Sequence, residues 1–124
     1  NDDTALMFAA FQGHERVVQL LLRHGAEINL QDSVGGTALM YAAASGHERV
    51  VELLIQHGAE LNLQRSNDDT ALMFAAFQGH ERVVQLLLRH GAEINLQDSV
   101  GGTALMYAAA SGHERVVELL IQHG

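Results

Sequence analysis

The sequence predicts an all-α solenoid of stacked helix pairs, and three observations predict it. Residues 67–124 repeat residues 1–58 without a substitution. Inside that unit, residues 1–33 align without gaps to residues 34–66 and differ at 11 of 33 positions, so the underlying period is 33 residues. Each period also carries two helix-like segments closed by glycine. A fixed period of roughly 20–50 residues marks an array whose units bury apolar surface only against their neighbours. The chain is therefore read as one solenoid, 1–124, with repeats 1–33, 34–66, 67–99 and a truncated 100–124.

Each repeat opens on a threonine. Thr4 precedes ALMFAAFQ and Gly13, which reads as a hydroxyl N-cap, a helix of about two turns and a glycine free to turn left-handed. Ala9 and Ala10 are small enough for close helix approach, while Leu6, Met7 and Phe8 fill the gaps. HERVVQLLLRH, closed by Gly25, reads as a second helix, with Glu15 and His24 placed favourably for the macrodipole. Its Val17, Val18, Leu20, Leu21 and Leu22 cover more than one stripe, so this helix is buried on two sides. From Ala26 through AEINLQDS the chain turns polar, with Ile28 and Leu30 alternating around Asn29. This reads as an extended excursion ending in a tight turn. Gly35 and Gly36 supply left-handed positions in the even turns; Asp2 and Asp3 tolerate them less well in the odd ones.

Composition excludes several functions. No cysteine occurs, which removes disulfides, thiol catalysis and cysteine-based zinc sites. Seven arginines stand against fifteen carboxylates, and a net charge of -8 repels a phosphate backbone, so nucleic acid is not the expected ligand. No apolar run approaches the roughly 20 residues that span a bilayer, and NDDTALM is not a signal peptide. The reading is a soluble protein, cytoplasmic if natural. The start without Met and the end at IQHG read as an excised fragment.

Eight histidines raise the question of metal. His14 and His24, ten residues apart on one helix, point about 280° apart. The equivalent His14, His47, His80 and His113 are separated by one repeat, roughly 10 Å, whereas zinc ligands each lie about 2 Å from the ion. Asp2 and Asp3, like Asp68 and Asp69, fall on solvated turns without a pocket. No phosphate loop or nucleophile elbow is present. No catalytic residue, metal or cofactor is expected.

The segments TALMFAA and TALMYAA, GHERVVxLLxxHGAExN and QDSVGGT together resemble the ankyrin-repeat family over the whole chain. Two departures recur: alanine replaces the family's proline at Ala5, Ala38, Ala71 and Ala104, and methionine replaces its histidine at Met7, Met40, Met73 and Met106. The resemblance implies a curved stack with projecting turn tips, a protein-binding concave face, and GH histidines that tie neighbouring loops. It assigns the contact surface to Asn1, Asp3, Phe11 and Gln12, with Asn67, Asp69, Phe77 and Gln78 as their copies. Ser33 closes the first repeat's share, and the even repeats add Val34, Gly36, Ala44 and Ser45, with Val100, Gly102, Ala110 and Ser111.

Phe11 and Phe77 are read either as interface anchors or as fillers of space beside Ala44 and Ala110. Asp32, Arg65 and Asp98 alternate in sign and suggest a charge ladder that fixes repeat order. The expected function is a non-catalytic protein-interaction scaffold, engineered or recently duplicated, with a protein partner or a second copy as its ligand. In the self-assembling alternative, apolar end faces stack head to tail, and Val116 and Leu119 are expected to face the open end.

Overall fold

The computed structural model describes residues 2–124 in backbone and 4–124 in side chains, and these residues form eight α-helices without a strand. They pair as α1 Asp2–Gln12 with α2 Glu15–Arg23, α3 Ala38–Ser45 with α4 Glu48–Gln56, α5 Ala71–Gln78 with α6 Glu81–Arg89, and α7 Ala104–Ala110 with α8 Glu114–His123. First helices pack on first helices and second on second, so the molecule is two helix layers with turn tips along one edge.

Small residues set the layer spacing. Ala42, Ala43, Ala75 and Ala76 are fully buried, which brings neighbouring first helices close, and Leu39 and Leu72 fill the space between layers. The two-sided burial expected of the second helices is met most fully in α6, where Val83, Val84, Leu86 and Leu87 are all buried.

Thr37, Thr70 and Thr103 cap α3, α5 and α7, each hydroxyl accepting the N–H three residues on at 3.2–3.3 Å. Thr4 does not follow this pattern, because α1 already begins at Asp2 and Thr4 lies inside it. In the later repeats the backbone ahead of the threonine is pinned by a turn: Asp32 N–H donates to the Gly36 carbonyl, Arg65 to Asp69 and Asp98 to Gly102, each at 2.9 Å. That restraint keeps residues 36, 69 and 102 out of the helix.

The histidines stitch the repeats. The Nε2 of His47 donates to the carbonyl of Phe11, His80 to Ala44 and His113 to Phe77, at 2.9–3.0 Å. Each imidazole lies over the glycine that ends the preceding first helix; a Cβ on Gly46, held at φ 76°, would come within 2.8 Å of the His80 ring. Asn29 and Asn62 side chains accept the N–H of Glu60 and Glu93 at 2.8 Å, tying one loop to the next.

Candidate functional site

The turn tips are built by a carboxylate. Asp32 Oδ1 accepts the N–H of Val34 and of Gly36, while Oδ2 takes the hydroxyl of Tyr41. Asp98 repeats the arrangement with Val100, Gly102 and Tyr107. Burial pushes the Asp32 carboxyl up, but the hydrogen bonds from Tyr41, Gly36 and Val34 together hold it below the usual carboxylate range. The Tyr107 bond dominates at Asp98 and lowers it likewise, while Tyr107 is pushed up to about 12.

The middle turn is chemically different. Arg65 replaces the aspartate and lies over the phenyl ring of Phe74, its guanidinium carbon 5.3 Å from the centroid. The alternation of Asp32, Arg65 and Asp98 is therefore matched nine residues later by Tyr41, Phe74 and Tyr107: a carboxylate takes a phenol, a guanidinium takes a phenyl. The charge ladder is present only as attraction without an ion pair, Arg65 helping to hold Asp32 below its ordinary value. Among the described residues no ion pair joins the three, and each is engaged by an aromatic ring of the first helix that follows it. The interrepeat ion pairs lie on the second helices, Glu15 with Arg49 and Glu48 with Arg82, and are solvent-exposed. In this turn Asp68 sits at φ 66° where the even turns have Gly35 and Gly101. Asp69 faces Asp98; burial and that neighbouring carboxyl raise it above the ordinary value.

Two aromatic clefts open beside these turns. In the first, Phe11 meets the ring of Tyr41 edge-on with centroids 6.3 Å apart, above Met7, Phe8, Leu30 and Asp32, around a volume of about 350 Å³. In the second, Phe77 meets Tyr107 at 6.2 Å beside Met73, Phe74 and Asp69, around about 230 Å³. Phe11 is 48% exposed and Phe77 50%, so about half of each residue is covered by the stack.

The other expected contact residues are placed unevenly. Gln12, Gln78, Ser33, Val34, Val100, Asn67 and Ala110 are exposed, while Ala44, Ser45, Asp69 and Ser111 are half-buried. Gly36 and Gly102 are buried rather than presented at the tip; a Cβ there would lie 2.8 and 2.6 Å from the hydroxyls of Tyr41 and Tyr107. Asn1 and the side chain of Asp3 lie outside the described residues. The sequence reading missed the two tyrosines, which line the clefts and lock the turns. Their signal was the nine-residue pairing of Asp with Tyr and of Arg with Phe.

A family model described as ankyrin repeats in three copies matches residues 1–65 and again residues 58–124. The chain belongs to the ankyrin-repeat family. Ankyrin repeats are generally protein-interaction scaffolds, and the family is typically non-catalytic. No curated protein matches the chain. Among the described residues, no helix is long and apolar enough to cross a membrane, and no group of three or more His, Asp or Glu side chains is arranged to hold a metal ion.

Proposed function

We propose that this ankyrin array is a non-catalytic scaffold that binds a protein partner along its first helices and turn tips, with Phe11 and Phe77 as anchors. The half-exposed aromatic pair carries the reading, since large rings that remain open on a rigid scaffold are the side chains that dominate interface energy. Affinity selection of displayed peptides against the parent chain and against F11A/F77A tests it. Binders lost on the variant support the surface; an enriched set that binds both equally overturns it.

A second reading is head-to-tail self-assembly, and end-face exposure favours it. Val17 and Leu20 are 45% and 53% exposed, whereas their copies Val83 and Leu86 are 1% and 3%. At the other end Leu105 and Met106 are 38% and 54% exposed against 2% and 3% for Leu39 and Met40. Val116 and Leu119, expected at that face, are instead buried, because the stripe they occupy points towards the preceding repeat. The junction between repeats two and three has the sequence that repeat four would meet on a second copy, so it supplies the geometry. His14 of that copy would donate to Ala110, as His80 does to Ala44. Light scattering after size exclusion should show mass rising with concentration above 13.4 kDa, and L20E should abolish the rise. A constant mass for the parent chain would sink this reading.

The exact identity of the two halves is best accounted for by deliberate or very recent copying. Codon-level identity would favour recent duplication, and systematically varied codons would favour gene design.

A further inference from the structure

The two clefts carry the same aromatic residues at equivalent positions. Phe11 with Tyr41 and Phe77 with Tyr107 are separated by two repeats, while Ala44 stands at the corresponding place in between. At roughly 10 Å per packed helix layer, the clefts are about 20 Å apart. Their charge is one-sided. Six of the seven arginines lie on the second helices, whereas the turn tips from residue 32 onward carry Asp32, Asp68, Asp69 and Asp98 against Arg65 alone. Each cleft has a carboxylate in its wall, Asp32 in the first and Asp69 in the second. Asp69 lies against Asp98, and burial together with that neighbouring carboxyl raises it; a cation placed there would favour its charged form.

The molecule also shows which cation this surface accepts. Arg65 lays its guanidinium on Phe74, a ring that lines the second cleft. A planar guanidinium stacks on an aromatic face and pairs with a carboxylate in one approach, which a lysine ammonium does less well.

Resting on the interaction-surface reading above, we infer that the Phe11–Tyr41 and Phe77–Tyr107 clefts are paired docking sites for two arginine side chains of one extended partner segment. Extended chain advances about 3.4 Å per residue, so the arginines stand about six residues apart. The partner is thus a basic segment with a repeated arginine. Occupying both clefts at once gains by effective concentration, with no new contact required.

Calorimetric titration of the full chain tests this with three synthetic Gly/Ser peptides: one with two arginines six residues apart, one with a single arginine, and one with both replaced by neutral citrulline. The single-arginine peptide is expected to bind two per chain. The double peptide should bind one per chain and at least tenfold tighter, and its affinity should fall with salt. F11A and F77A, at half-exposed positions and checked for retained helicity by circular dichroism, should each return the double peptide to single-arginine affinity. Equal binding of the citrulline peptide, no gain from the second arginine, or insensitivity to F11A and F77A would overturn the inference. Binders from the selection above that lack arginine yet are lost on F11A/F77A would leave the scaffold reading standing while removing this one.

Discussion

A single side chain decides the shape of each turn tip. Gly35 and Gly101 have the same sequence context and nearly the same φ, 83° and 82°, yet a Cβ would meet the Arg65 Cα at 2.9 Å at the first and open space at the second. The left-handed strain is common to both and costs about 1 kcal/mol. G101A is therefore expected to lose about 1 kcal/mol in urea unfolding and G35A about 2–3, with the difference due to backbone contact with the next turn. Equal losses would show that the tips do not touch in solution. The carboxylates carry opposite pH signatures. Asp32 and Asp98 are lowered, so the stability they give is full above the ordinary carboxylate value and is lost as pH falls through their folded values. Asp69 is raised, so its charge opposes folding at neutral pH, and the folded state gains relative stability as pH falls through that raised value. D69N should raise Tm at pH 7, and the gain should shrink towards pH 4. A gain that is independent of pH would assign the effect to packing rather than charge.

Elements were legible to different degrees, for physical reasons. The first helix of each repeat follows from local signals, a threonine before an alanine-rich run and a glycine after it, and the threonine caps wherever a preceding turn pins the backbone. Thr4 shows the limit: its hydroxyl is a good cap by sequence, yet α1 starts two residues earlier. Capping therefore depends on the turn as well as on the residue. T70A should cost about 1 kcal/mol, since the hydroxyl accepts the Met73 N–H in a buried setting, and T70S should recover most of it. An unchanged T70A would mean that the turn alone sets the start of α5. The second helices were readable as buried on two sides, but periodicity does not say which stripe meets which neighbour. Val116 and Leu119 were therefore placed on the wrong face. The clefts were half legible: the exposed phenylalanines stood out as departures from alanine, while the tyrosines were hidden by their likeness to Phe8 and Phe74.

At the scale of the whole molecule, identical sequence separates local from tertiary stability. Helices α2 and α6 have the same nine residues between the same flanking histidines, so their intrinsic propensities are the same. What differs is neighbours: α6 is covered on both sides, and its Val83 and Leu86 are buried where Val17 and Leu20 of α2 are not. Fully burying a Val or Leu side chain is worth about 1.5–3 kcal/mol, and only about half of each is withheld from α2, so the deficit is of order 2 kcal/mol. In a nearest-neighbour array this deficit stays with the end repeat instead of spreading over the stack. Hydrogen exchange should therefore be faster in α2 than in α6 by at least about tenfold. The two helices give peptides of equal mass, so a marker such as Q85E, at a half-exposed position, is needed to tell them apart in mass spectrometry. Equal protection at low concentration would mean that the stack unfolds as one unit. A rise in α2 protection alone as concentration increases would mean that a second copy has taken the place of the missing neighbour.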